Sequence, residues 1–179
     1  MADRLAATGV LLVGGTSSRF GSPKALASFR GETLAERAWR LLGDVCAERI
    51  AVGKHSDALA LPFPMLDDGS ERRAPAYGLL TGLRAAANEL CIALPVDCPL
   101  MTPDALRALA DARAVPQTGP LPGAYERSVA PELGRRIAAG ELSLRGLNPR
   151  VVELDDAVLV NVNTPEDLAR LSDSTLRSR

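Results

Sequence analysis

Between Val10 and Lys24 the chain reads VLLVGGTSSRFGSPK, and residue types in that order suit the binding of a polyphosphate. Gly14, Gly15 and Gly21 let the backbone turn sharply and bring its N–H groups close to an anion with no Cβ in the way. Arg19 and Lys24 add fixed positive charge, which an anion needs and a packed core does not. An ordinary glycine-rich strand-to-helix turn would use the same glycines. A second candidate is Asp97 in PVDCP, directly after the short apolar run Cys91–Leu94 and braced by Pro95 and Pro99. A carboxylate there suits magnesium, which takes one or two carboxylates together with phosphate oxygens and water. The same pattern equally suits a turn or helix-capping aspartate, and Asp67, in the run Asp67-Asp68-Gly69, carries the same ambiguity. His55 sits in a polar link and reads as a surface residue. Cys98, with no histidine near it in sequence, reads as a filler thiol.

These residues need elements to hold them. The apolar run Val10–Val13 suits a strand buried on both faces of a parallel sheet. After a glycine turn at Gly31, Leu34, Ala38, Leu41, Leu42 and Val45 recur at helical spacing, which predicts a helix over Thr33–Asp44. Strands are expected at Arg49–Gly53 and Pro62–Leu66, with a charged loop at Gly69–Ala74. Leu79, Leu80, Leu83, Ala86, Ala87 and Leu90 give an amphipathic helix from Tyr77, and Cys91–Leu94 a second buried strand. Thr102 with Pro103 opens a helix through about Asp111. The proline- and glycine-rich stretch Val115–Tyr125 reads as strand, loop and strand. Further helices are expected at Val129–Ala139 and around Ser143–Leu147, and strands at Val151–Leu154 and Val158–Val162. Thr164 caps a last helix with Pro165 at its first position and Asp167 near its N-terminal dipole.

Strands alternating with helices predict an α/β fold of three layers, α/β/α, around a mostly parallel sheet. Ligands of such sheets sit beyond the carboxyl ends of the strands. The glycine loop and Asp97 both follow strands, so they are expected on one edge. Residues 1–171 are read as one domain and 172–179 as a flexible tail.

Composition narrows the function classes. At 179 residues, with 46% hydrophobic and 24% charged residues, the chain can bury a full core, and 3% aromatics make that core aliphatic. A net charge of −1 argues against a nucleic-acid binder, which shows a basic excess or stripe. Cys46, Cys91 and Cys98 form neither a disulfide framework nor a C-x-x-C metal pair, so reduced thiols in a cytoplasm are expected. Asp3 and the immediate run into the glycine loop argue against a signal peptide, and no stretch is long enough to span a membrane.

The loop is not a P-loop, because Lys24 follows Pro23 and precedes Ala25, and it lacks G-x-G-x-x-G. It does resemble L-x-G-G-x-S-x-R-M-G-x-x-K, the signature of nucleotidyltransferases that activate phosphorylated small molecules, with Phe20 in place of methionine. Four more blocks extend the likeness: APAYGLLTGLRAA from Ala74, PVDCPLM from Pro95, PLPGAY from Pro120 and NVNTPEDL from Asn161. In this order and spacing they resemble the molybdenum cofactor guanylyltransferases.

That resemblance implies a Rossmann-like nucleotidyltransferase fold, Mg²⁺ as cofactor, and GTP and molybdopterin as substrates, with no nucleic-acid or membrane partner. It also implies transient contacts with molybdenum-insertion and molybdoenzyme maturation proteins. By position, Leu12, Val13, Gly14 and Gly15 would face the guanosine and its phosphates through the backbone. Lys24 and Arg19 would bind the triphosphate, and Asp67 would read the guanine or ribose. Asp97 would bind GTP and Mg²⁺, and Asn161 and Asn163 would lie on the pterin side. The chain departs from the pattern at Val13, usually alanine, and at Gly53, which stands where some relatives have a nucleotide-contacting asparagine. Ala74 and Tyr77 depart from G-P-L-A, and Gln117 stands in a shortened segment where a basic residue is frequent. Alternatives of the same fold are a molybdopterin cytidylyltransferase or a nucleotide-sugar enzyme; one of another class is a non-catalytic nucleotide-binding protein.

Overall fold

An unbroken apolar stretch must be covered on both sides, and Leu5–Leu12 (β1) accordingly forms the middle of the sheet. The computed structural model describes residues 3–14, 20, 21 and 23–176, with side chains described as far as Ser172. Gly15, Arg19 and the rest of the loop between Gly14 and Phe20 lie outside the described residues.

Beyond the loop, Ser28–Phe29 (β2) and Glu32–Thr33 (β3) form a small hairpin. Its turn residues Arg30 and Gly31 both have positive φ, 55° and 85°, the geometry of the two-residue turns that match strand twist. Helix α1 (Leu34–Val45) opens with a reciprocal cap: the Thr33 hydroxyl accepts the Glu36 N–H at 3.1 Å, and the Glu36 carboxylate accepts the Thr33 N–H at 2.8 Å. Strands Cys46–Gly53 (β4) and Met65–Asp67 (β5) follow, then helix α2 (Pro75–Ala85) and strand β6 (Leu90–Pro95). The remaining elements are α3 (Pro103–Ala112), β7 (Val115–Pro116), β8 (Gly123–Glu126), α4 (Ala130–Ala138), β9 (Val151–Val152) and α5 (Pro165–Leu176).

The main sheet has the order β5-β4-β1-β6-β8, parallel except for β8, which runs antiparallel to β6. Side chains alternate across β1. Ala7 and Leu11 join Ile92 and Leu94 in the core beneath α1 and α3, while Val10 and Leu12 join Cys91 and Ala93 beneath α2 and α4. Helix α2 lies close on the sheet because Gly82 has no side chain; a Cβ there would collide with Val10. The expected α/β/α architecture with its mostly parallel sheet is present.

Some expected elements differ. Helix α2 ends at Ala85, so Leu90 belongs to β6 and not to the helix. Around Ser143–Leu147 there is a turn, not a helix, with Gly146 at φ 74° and the Ser143 hydroxyl accepting the Arg145 N–H at 3.2 Å. Val158–Val162 is no strand: Asp155 caps the 3₁₀ turn Asp156–Leu159 by accepting the Ala157 N–H at 2.9 Å. Leu159 and Val162 are buried all the same, so their apolarity reported packing and not pairing. The strand expected over Val151–Leu154 shrinks to Val151–Val152, and that over Pro62–Leu66 shifts to Met65–Asp67.

Candidate active site

The connection leaving β1 runs through α1 to β4, toward one edge of the sheet, whereas that leaving β6 runs through α3 to β8, toward the other edge. Two outgoing loops that part in this way open a crevice at the carboxyl ends of the strands. A cavity of about 350 Å³ occupies this edge of the sheet. Its walls include Leu12 at the end of β1 and Gly14 just beyond it, Gly53 ending β4 and Lys54 after it, Asp68 after β5, and Pro95 ending β6 and Asp97 beyond it. Lys24, Arg73, Asn161 and Asn163 complete its polar lining.

Lys24 begins a 3₁₀ turn whose Leu26 N–H returns to the Pro23 carbonyl at 3.0 Å. Its ammonium stands 3.6 Å from Asp97 Oδ2 and donates to Asn163 Oδ1 at 3.3 Å. Three segments distant in sequence thus converge on one amine. The turn carrying Asp97 is held from both sides. Val162 N–H donates to the Asp97 carbonyl at 2.9 Å, and Arg37 of α1 donates through Nε to the Pro99 carbonyl at 2.6 Å. The Cys98 thiol lies 3.1 Å from Asn161 Oδ1 and 3.7 Å from Asp97 Oδ1. Burial pushes this thiol well above its ordinary range, and the neighbouring Asp97 charge adds to the effect.

The segment Asn161–Asn163 is fixed in turn by helix α5. The Asp167 carboxylate accepts the N–H groups of Asn163 and Thr164, each at 3.0 Å, and the Thr164 hydroxyl accepts the Asp167 N–H at 3.2 Å. The Asn163 N–H above all, with Thr164, holds the Asp167 carboxyl below the usual carboxylate range.

At the β4–β5 end, the buried Lys54 ammonium donates to both carboxylate oxygens of Asp68, at 2.8 and 3.0 Å, and to the Ser70 carbonyl. Arg73 forks onto both oxygens of Asp57, one of them at 3.0 Å. That hydrogen bonding draws the Asp57 carboxyl below its ordinary value.

Among the sequence candidates, Leu12, Gly14, Lys24, Asp97, Asn161 and Asn163 line the cavity. Val13 is buried in the core, its N–H donating to the Val52 carbonyl at 2.9 Å. Asp67 is not among the lining residues. Its carboxylate accepts the N–H groups of His55 and Gly69, each at 2.7 Å, and the His55 N–H foremost lowers its pKa. Strand alternation turns Asp68 inward in its place. Asp68, Lys54 and Arg73 were not singled out in the sequence. Lys54 had one signal, since it directly follows the buried end of a strand, as Asp97 closely follows another.

Asp97 suits a metal held jointly with phosphate. Its Oδ2 has Lys24 at ion-pair distance, outside hydrogen-bond reach, and its carboxylate opens onto the cavity. Among the described residues no group of three or more His, Cys, Asp or Glu side chains forms a protein-only cage.

A crevice at a strand-order reversal, with Gly14, a lysine and a carboxylate on its wall, has the chemistry to take a phosphorylated ligand. The chain belongs to the MobA-like NTP transferase domain family, whose model matches residues 9–147. It is 34% identical to a "Probable molybdenum cofactor guanylyltransferase" of Rhodopirellula baltica, over 93% of this chain and 92% of that one. It is also 32% identical to the molybdenum cofactor guanylyltransferase of Cereibacter sphaeroides, over 94% of this chain and 96% of that one. The fold matches the crystal structure of molybdopterin-guanine dinucleotide biosynthesis protein A from Archaeoglobus fulgidus. That match has a TM-score of 0.77 at 22% identity, over 95% of this chain and 99% of that one. The family expected from the five sequence blocks is therefore the one found.

Proposed function

We propose that the protein transfers GMP from GTP to the terminal phosphate of molybdopterin, giving molybdopterin guanine dinucleotide and pyrophosphate. The observation that carries this reading is the meeting of Lys24, Asp97 and Asn163 at one wall of the cavity, with Lys24 Nζ 3.6 Å from Asp97 and 3.3 Å from Asn163. The names of the relatives support the choice of nucleotide and acceptor.

The reaction forms a bond between an acceptor phosphate oxygen and the α-phosphorus of GTP, and breaks the bond between the α-phosphorus and the α,β-bridging oxygen. The leaving electron pair goes to pyrophosphate. The acceptor is an anionic phosphate monoester near neutral pH, so no side-chain nucleophile is required. What the protein must supply is alignment and neutralisation of gathered negative charge. Lys24 serves the triphosphate, and Gly14, with no side chain on the cavity wall, lets it approach the backbone. Asp97 would hold Mg²⁺, which supplies positive charge against the phosphates when bound. Asn161 and Asn163 offer amides to the acceptor. Lys54 and Asp68, at the far end of the cavity, flank the nucleoside.

In this reading Arg19 assists Lys24, Gly15 continues the phosphate cradle, and Asp67 supports the base-side turn through His55 and Gly69. The reaction takes place in the cytoplasm, with hand-over to molybdenum-insertion and molybdoenzyme maturation proteins. Among the described residues no helix is long and apolar enough to cross a membrane.

The experiment is pyrophosphate release from GTP, CTP and ATP with Mg²⁺ and molybdopterin. Release with GTP far above the other two is expected. Equal release from CTP would overturn the guanylyl assignment, and absence of release from any triphosphate would overturn the acceptor.

A further inference from the structure

Both asparagines of the closing segment have their carbonyl oxygens engaged by the protein. Asn163 Oδ1 accepts from Lys24 at 3.3 Å, and Asn161 Oδ1 lies 3.1 Å from the Cys98 sulfur. An amide oxygen is only an acceptor, so the bond to Asn161 requires the thiol to donate its proton. Cys98 is itself 5% exposed, packed in the core beneath α1 and α3. Its position is unsuited to nucleophilic chemistry, which needs an exposed, electropositive setting.

A bond from sulfur to the amide oxygen selects one of the two orientations of the Asn161 side chain. The oxygen points back to the Asp97 turn, and the NH₂ group is left for the cavity that Asn161 lines. Lys24 imposes the same sense on Asn163.

We propose that Cys98 is a positioning residue, its thiol locking Asn161 so that the amide presents donors to the oxygens of the acceptor substrate. The acceptor's facing edge must then be rich in hydrogen-bond acceptors, as phosphate or ring carbonyl oxygens are. The proposal rests on the reading above that this side of the cavity takes the acceptor.

Cys98→Ser keeps a donor; Cys98→Val removes it at similar volume, and Cys98→Ala removes it where valine overpacks. In ¹⁵N-labelled protein without substrates, the Asn161 side-chain amide is expected to give one pair of resonances in the wild type and in Cys98→Ser. In Cys98→Val or Cys98→Ala it is expected to shift and broaden. Kinetically, the donor-less variants should raise the acceptor KM on the order of tenfold, the upper end for one hydrogen bond, with the GTP KM little changed and Cys98→Ser restoring the acceptor KM. Adding the donor-less change to Asn161→Ala should then cost nothing further. Unchanged amide resonances in both donor-less variants would overturn the proposal, and so would a full additive effect on top of Asn161→Ala. Failure of wild-type protein to use molybdopterin would instead overturn the functional reading, leaving the resonance experiment to decide the role of Cys98.

Discussion

Lys24 and Asp97 follow different strands of the sheet, β1 and β6, and their charged ends stand 3.6 Å apart at the cavity wall. Those strands are direct neighbours, with Leu12 in register with Pro95, so their carboxyl ends emerge side by side. The ion pair follows from the strand order. Neither side chain is fully buried, with 15% and 27% of their areas exposed, so each can exchange its partner for a phosphate or a metal. Such a pair contributes little to stability and is available for chemistry.

Lys24→Ala and Asp97→Asn are therefore expected to fold normally and to lose most of their turnover. Loss of one charge-stabilising group in a sheltered site costs ~3 kcal/mol of transition-state stabilisation, roughly a hundredfold in rate. Pyrophosphate release alongside a thermal melt checks this. Wild-type release in either variant would remove that residue from the mechanism.

Lys54 and Asp68 behave differently, because their side chains are only 6% and 7% exposed. Removing one partner leaves a buried charge uncompensated, so Lys54→Met is expected to destabilise the fold by about 3 kcal/mol. The double replacement Lys54→Met with Asp68→Leu is expected to recover most of that loss, since an apolar pair avoids the desolvation penalty. Urea titrations of the three proteins make the comparison; a single variant as stable as the wild type would contradict it.

Acid should loosen the β1–β4 pairing through Glu48. This carboxylate accepts from the buried Thr8 hydroxyl, from the Ala87 N–H at 2.9 Å and from the Asn88 amide at 3.4 Å. The Thr8 bond above all holds its pKa below the usual carboxylate value. A carboxylate with a depressed folded-state pKa stabilises the fold fully above the unfolded value, about 4.3 for Glu. That contribution is lost as pH falls through the folded value. Glu48→Gln should accordingly flatten the stability curve on the acid side of about pH 5, measured as denaturant midpoints against pH. An unchanged slope would show that Glu48 has no part in it.

All three cysteines should resist alkylation in the folded protein at pH 8. Burial raises Cys46 and Cys91 to about 12 and Cys98 well above its ordinary range, so little thiolate exists to react. Mass spectrometry after iodoacetamide is expected to find no label natively and three labels in denaturant. Rapid native labelling of any one would place that thiol in a more open setting.

The sheet edge was legible in the sequence because each piece carried its own local cause. Four apolar residues before Gly14 read as a buried strand, Cys91–Leu94 before Asp97 likewise, and Thr164-Pro165 read as a helix start; all three stand in the fold. The misread elements were those whose apolar residues pack without forming ladders. Val158–Val162 has a strand's composition, yet the Asp155 cap winds it into a 3₁₀ turn. Around Ser143–Leu147 a hydroxyl-to-backbone bond and a left-handed glycine replace the expected helix.

On the β4–β5 side the sequence offered two adjacent aspartates. Which of them turns inward depends on the phase of a three-residue strand whose expected span was displaced. Asp68 and Lys54 could not be paired from spacing alone, because their contact runs across the sheet edge. The opposite side was clearer, since the Asn161 and Asn163 amides flank a buried Val162 whose N–H reaches the Asp97 carbonyl at 2.9 Å.

The account stands or falls on one nucleotide being held between the first and fourth strands of the parallel set. A crystal of the protein with a non-hydrolysable GTP analogue and Mg²⁺ tests it most directly. The triphosphate is expected against Lys24 and Gly14, with the metal between the phosphates and Asp97. Phosphates bound elsewhere, with the Lys24–Asp97 pair intact and untouched, would contradict it.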